Sequence, residues 1–403
     1  MSTSSTPLRA RRIVRPFDGI VAFGSYDGRR HHRGSYEFRL LDQLAAQVPL
    51  LYVDDFGIRA PTDGGATSLA TCIARCLAAP FRRASKVKAN LAVLHARSSP
   101  AIPGGTAARI VAARIRRAMR ELRIRRPLVW VANPLARTCI DALEPAGVVF
   151  LRTDLWEEFG HADFSAVTDA IAWLRHRADI VVYRSRELMV VEGGPTTASS
   201  AYWIEPGVDL PRLSAAGDSP VEPAGLRDVP RPRVGFAGDV EPHSFDVGLF
   251  TGVARRLPGF TFVIAGTCRV PADRLAAPNV RLVGPLRPDD VAKWLAACDA
   301  VFLPQKRGTW LRACHPVLLK EALAVGRPVV STEFPELSAY RGLVRAGGDE
   351  ATLAALVRDA CFEPHDPRPG RAAVDGQGWE VRARQVLHAL DVRGLVLAGS
   401  STN

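Results

Sequence analysis

No stretch of this sequence is apolar for long enough to cross a bilayer as a helix. Runs such as Gly19–Phe23 and Leu128–Ala132 are of strand length, against the ~18 apolar residues that a membrane-spanning helix requires. Met1–Pro16 mixes Ser, Thr and Arg with no apolar h-region, so it reads as a disordered leader and not as a secretion signal. A cytoplasmic protein is expected. The sequence also lacks any C-x2-C pair: its seven cysteines stand at 72, 76, 139, 268, 298, 314 and 361. An odd, scattered set fits a reduced compartment and gives no metal site. Cys72 and Cys76, one helical turn apart, read as buried side chains. There is no internal repeat of short fixed period, and low-complexity sequence is confined to the termini.

What is present fits a globular chain of two ordinary domains: 403 residues, 47% hydrophobic and 23% charged. The net charge of +12 is unevenly placed. Residues 1–130 hold 23 Lys and Arg against 8 Asp and Glu, a net +15, which leaves −3 for the remainder. Such an asymmetry attracts a polyanion, either nucleic acid or an anionic membrane face. The basic half has no aromatic stacking set, RNP-like motif or paired zinc ligands, so nucleic acid is excluded as the expected partner.

From Gly19 the chain alternates β-rich runs (GIVAF, LLYVDD, LVWVAN, VVFL, IVVY) with helical stretches near Tyr36–Gln47 and Thr106–Leu122. This alternation predicts a parallel sheet covered by helices. Prolines at 206, 211, 220, 223, 230 and 232 then punctuate a polar segment that reads as a linker. The pattern restarts at VGFAG and continues through FTFVIAG, VRLVG, AVFLP and PVVST. The expected organisation is a leader over 1–16, an acceptor-side Rossmann-like domain over 17–205, a linker over 206–232 and a second Rossmann-like domain over 233–375. A helix over 376–392 follows, expected to pack across the domain junction, and then a disordered tail over 393–403.

The strongest local signal runs from Arg312 to Thr332, RACHPVLLKEALAVGRPVVST. It describes a loop, a helix opened by Pro316 at its first position, a stop at Gly326 and a buried strand. A helix N-terminus at the carboxyl edge of a parallel sheet suits a diphosphate, because its free N–H groups and its dipole both favour anions. Arg312 can add a charge-assisted bond to the same phosphates. Glu321, just over one turn inside, can accept hydrogen bonds from two ribose hydroxyls; the alternative is a surface helix carboxylate. His315 is either a donor-site residue or a loop residue. Gly238, in the turn Gly235–Asp239, is a candidate for backbone approach to the donor, although a glycine after a strand is common in any α/β protein.

These residues resemble a known family. Glu321 through Val330 is similar to the donor-site signature of family-4-like GT-B glycosyltransferases, in which an E-x7-E pair ends on a helix before a G-x-P-V-V turn. Val234–Asp239, Phe262–Gly266, Pro278–Pro285, Val291–Leu303 and the GWEVRARQVL stretch from Gly378 resemble further elements of that domain. VWVANPL from Val129 and IEPGVDLPRL from Ile204 resemble the family's third-strand turn and interdomain crossing, so the likeness spans most of residues 128–390. The chain departs from the pattern at Ala313, where the first Glu of the pair would stand. It follows instead the R-A-x-x-P pattern of an exopolysaccharide-type subgroup, with Leu318 where that subgroup carries Lys. The resemblance implies two Rossmann-like domains facing a cleft and a nucleotide-sugar donor held by Gly238, Lys306, Arg312, His315, Pro316 and Glu321. It implies no separate cofactor and no metal.

In the first domain, Leu151–Phe159 (LRTDLWEEF) follows a strand and places acids at a sheet edge that would face the cleft. Asp154 resembles a general base of xanthan-type glucuronosyltransferases; the alternative is a cap on the next turn. A retaining route would need no such base, since the departing phosphate can take the proton. Arg33 and Gly34, in the Gly24–Ser35 turn, are candidates for an acceptor or phosphate loop, or for a plain basic surface loop. Two basic amphipathic segments, Thr106–Arg126 and Cys72–Leu94, are expected to lie on anionic lipid. The function expected is sugar transfer from a nucleotide diphosphate sugar to a hydroxyl of a saccharide or lipid-linked acceptor, by a cytoplasmic protein held peripherally at the membrane. The alternatives are a nucleotide-sugar epimerase or hydrolase on the same scaffold, or a catalytically silent scaffold protein.

Overall fold

The computed structural model describes residues 14–24, 36–54, 83–96, 106–153, 155, 164–193, 200–313 and 315–399. Two sheets organise them. The first runs β4 (Ser85–Lys88), β5 (Leu91–His95), β3 (Leu50–Asp54), β2 (Gly19–Phe23), β6 (Pro127–Val131), β7 (Gly147–Arg152), β8 (Ile180–Tyr183) and β9 (Ala201–Trp203). Every pairing in it is parallel except that of β4 with β5. GIVAF, LLYVD and PLVWV are buried at every position, as strands covered on both faces must be. Successive side chains take opposite faces. Ile20 and Ala22 join the helices Tyr36–Leu44 and Trp379–Val392 on one side, while Val21 and Phe23 join Thr106–Glu121, Phe164–Arg177 and Arg186–Val191 on the other.

The second sheet is wholly parallel, in the order β12 (Val280–Leu282), β11 (Thr261–Ala265), β10 (Arg233–Ala237), β13 (Ala300–Leu303), β14 (Val329–Thr332) and β15 (Val344–Gly347). The strand order reverses between β10 and β13, and in the first sheet between β2 and β6. Doubly wound sheets bind ligands at the carboxyl ends of such switch points.

Several expectations are corrected by this arrangement. Residues 206–232, read as a linker, contain the helix Leu210–Asp218, whose N-cap Asp209 accepts a bond from the Arg212 amide and whose first turn carries Pro211. Proline there starts a helix instead of breaking one. This helix packs so closely on Val317–Val325 that a Cβ at Gly217 would lie 1.9 Å from the Val325 carbonyl oxygen. Arg15 and Pro16, placed by sequence in the leader, begin β1 (Arg15–Phe17), which pairs as a parallel ribbon with β16 (Leu395–Leu397), placed in the tail. Neither run is long enough to announce a strand without its distant partner. The basic segment Cys72–Leu94 is an antiparallel hairpin where it is described, with Lys88 paired to Asp42 at 2.5 Å. The last helix, Trp379–Val392, does leave the second domain: Trp379, Ala383, Val386 and Leu390 enter the first domain's core, and Trp379 lies against Tyr36 at 5.8 Å.

Candidate functional site

The switch point of the second sheet is built from loops tied to one another by backbone. Gly238 follows β10, and its amide donates to Ala265 O at 2.9 Å. A Cβ on the neighbouring Gly266 would lie 1.9 Å from Gly238 O, so this pair of turns closes only with glycine at 266. Across the switch point the Lys306 amide donates to Ser244 O at 2.8 Å, and its Nζ donates to Pro242 O at 2.9 Å. His243 stands edge-on to Trp310 at 5.4 Å. Two strands' loops therefore share one rim, with the exposed Lys306 at its edge.

Behind this rim stands the helix Val317–Val325. Pro316 is its N-cap (φ −67°, ψ 119°) and not its first residue, with no side chain bonding the first-turn amides. Gly326 closes it in the left-handed region at φ 84°, where a Cβ would be strained. The N-terminus is thus supplied with amides and dipole in the orientation that favours an anion. Glu321 is only 7% exposed, which sets aside its reading as a surface carboxylate. Arg312 ends the short helix Thr309–Arg312. Its side chain, together with Asp154, Arg33 and Gly34, lies outside the described residues.

A buried ionic cluster at the domain junction surrounds the residue before Pro316. The two ring nitrogens of His315 face two carboxylates, Nε2 to Glu205 and Nδ1 to Glu336, each at 3.7 Å. That is ion-pair range and longer than a hydrogen bond. Burial pushes His315 below the ordinary histidine range, against the pull of both carboxylates. Glu205 also receives Lys320 Nζ at 2.8 Å and Arg382 at 2.8 Å. Lys320, fully buried and bonded as well to Pro206 O at 2.8 Å, is brought down to about 8, burial outweighing Glu205. Burial works to raise Glu336, but His315, the Ser185 hydroxyl and the Glu187 amide overcome it and bring its carboxyl to about 2. The two carboxylates, Glu205 and Glu336, offset the charges of Lys320 and Arg382. Such balance is what a buried cluster needs.

Sequence reasoning placed His315 but missed Glu205, Glu336, Lys320 and Arg382, which lie up to 177 residues apart in the chain. The buried Lys320 is the one legible signal, standing beside Glu321 in an otherwise apolar helix. Sequence also missed a pair at the carboxyl edge of the first sheet. Asp54 and His95 are register partners, with Nδ1 to Oδ1 at 2.7 Å, Asp54 fully buried and the His95 side chain 30% exposed. The departures from the family pattern are accounted for by burial. Ala313 packs into the first domain's apolar cluster and Leu318 into the second's core, so a carboxylate or ammonium at either place would be desolvated. Among the described residues no group of His, Cys, Asp and Glu could hold a metal ion, and no helix is long and apolar enough to cross a membrane.

Residues 213–361 match the family described as glycosyl transferases group 1. Over 214 residues the chain is 27% identical to TuaH of Bacillus subtilis (strain 168), whose name proposes for it a glycosyltransferase role in teichuronic acid biosynthesis. That alignment covers 47% of this chain and 51% of TuaH, so the chain spans about half the length of this relative. Among solved structures, sucrose-phosphate synthase of Thermosynechococcus elongatus aligns with a TM-score of 0.66 at 14% identity, covering 93% of this chain and 98% of that one. HepE of Anabaena, solved with UDP and glucose, aligns with a TM-score of 0.64 at 14% identity, covering 92% and 99%. The fold is therefore GT-B: two α/β domains, one built on a mostly parallel sheet and the other on a wholly parallel one.

Proposed function

We propose that this chain is a glycosyltransferase that moves a hexosyl group from a nucleotide diphosphate sugar to a hydroxyl of a saccharide or lipid-linked acceptor. The observation that carries the reading is the uncapped N-terminus of Val317–Val325 beside the β10–β13 switch point, with the Glu321 carboxylate buried one turn inside it. In this reading the first-turn amides, Lys306 and Arg312 take the diphosphate, the Gly238 turn admits it by backbone, and Glu321 accepts the ribose hydroxyls. His315, ahead of Pro316, acts at the donor phosphate or sugar in this reading.

Deprotonation of the acceptor hydroxyl falls to the carboxyl edge of the first sheet. Asp154, two residues after β7 in sequence, is one base. His95 is another, with its Nδ1 2.7 Å from the buried Asp54 carboxylate. Arg33 and Gly34, which follow β2 in the chain, are the acceptor or phosphate residues in this reading. A basic helix face supports work at an anionic membrane on the cytoplasmic side, since Arg109, Arg116, Arg117 and Arg120 are exposed with Ile110.

Titration calorimetry with UDP and with GDP tests the donor site, and binding of neither would favour a silent scaffold. Turnover of donor without acceptor would favour an epimerase or hydrolase.

A further inference from the structure

The helix Arg186–Val191 of the first domain is capped twice. Its own Ser185 accepts from the Leu188 amide at 3.3 Å, the local arrangement for a serine N-cap. The same hydroxyl then donates to Glu336 Oε1 at 2.8 Å, and the Arg186 and Glu187 amides donate to that oxygen at 2.9 and 3.4 Å. Glu336 belongs to the other domain, on the turn Pro335–Tyr340 directly after β14. Its second oxygen faces His315 Nδ1. One carboxylate thus joins the start of a first-domain helix, the loop of a second-domain strand and the residue preceding Pro316.

The covalent links between the domains lie alongside. The chain crosses once near Ile204–Asp209 and returns near Asp375–Trp379, and the Val208 amide donates to Gln377 O at 2.9 Å between the two crossings. Two strands of backbone bonded at one place form a hinge, and a hinge alone leaves the angle between domains free. We propose that Glu336 is the positioning residue that sets this angle: a second-domain carboxylate that completes the cap of a first-domain helix and so holds the two switch-point edges facing one another. The contact is directional, because three donors converge on one oxygen. The proposal stands independently of the donor reading; only an effect on UDP would rest on that reading.

Dyes on ketone-bearing residues introduced at the exposed positions 120 and 293, one in each domain, report the angle by energy transfer. Small-angle scattering gives the radius of gyration in parallel. In Glu336→Ala the interdomain distance is expected to lengthen and its distribution to broaden, with the radius of gyration rising and far-UV circular dichroism unchanged. Glu336→Gln keeps a carbonyl oxygen for the same three donors and is expected to restore the wild-type distance. Ser185→Ala, which leaves the carboxylate in place, is expected to fall between wild type and Glu336→Ala. A wild-type distance in Glu336→Ala overturns the proposal, as does a Gln variant as open as the Ala one. Should Glu336→Ala fail to fold, an unchanged distance in Ser185→Ala overturns it.

Discussion

Replacing Glu336 by Gln separates the charge of this residue from its shape, and the consequence for stability can be worked out. The surroundings hold the carboxyl at about 2 in the folded protein against an ordinary 4.5, so the unfolded chain binds the proton more readily. A depressed folded value contributes stability that is fully present above the unfolded pKa and is lost as pH falls through the folded one. The window is therefore roughly pH 5 down to 2. The two values differ by about 2.5 units, and at about 1.4 kcal/mol per unit the ionised carboxylate contributes on the order of 3 kcal/mol at neutral pH. Gln retains the acceptor for Ser185, Arg186 and Glu187 but not the charge, so it should lose most of this. Urea denaturation of both proteins, followed by tryptophan fluorescence from pH 7 to pH 3, measures it. The difference in unfolding free energy should hold steady above pH 5 and shrink as the pH falls below. A difference that is constant across the whole range, or absent at pH 7, would show that the carboxylate gains nothing from ionisation in this cluster.

Three further outcomes are expected. Glu321→Ala should weaken UDP or GDP binding by about 1.5–3 kcal/mol, the scale of hydrogen bonds to a charged group, and calorimetry on a folded variant showing unchanged affinity would remove Glu321 from the site. Asp154→Asn and His95→Gln should each leave nucleotide affinity intact; the one that is the base should lower turnover by about 10²–10⁴-fold, and two fully active variants would point to a retaining route without a protein base. Binding to phosphatidylglycerol vesicles should be strong at low salt and fade toward 1 M, where the screening length is ~3 Å. Replacing Arg116, Arg117, Arg120 and Arg123 by Gln should weaken it, and co-sedimentation equal to wild type would exclude that helix face.

Much of the architecture was legible because it rests on short-range chemistry. The uniformly apolar strands, the alternation of strand and helix, the Gly326 stop and the Asp246 cap of Val247–Arg256 are each dictated by residues within a few positions of one another. The stretch around Glu321 was legible for the same reason, being loop, helix and strand in one run. Local sequence also misled. Proline in 206–232 suggested a linker, yet Pro211 opens a helix whose fit depends on Gly217 meeting the distant Val325 carbonyl. Within the basic amphipathic segment Cys72–Leu94, pairing of Ser85–Lys88 with Leu91–His95 makes a hairpin that the run of charges did not announce.

What only the tertiary structure decided is the chemistry of the junction. Glu205, His315, Lys320, Glu336 and Arg382 come from the domain crossing, a loop, a helix, a turn and the last helix, and no local pattern pairs them with one another. Sequence alone fixes that these side chains can be charged. Whether they are depends on burial and on opposite charges a few ångströms away, and those distances exist only once the two domains have closed on each other.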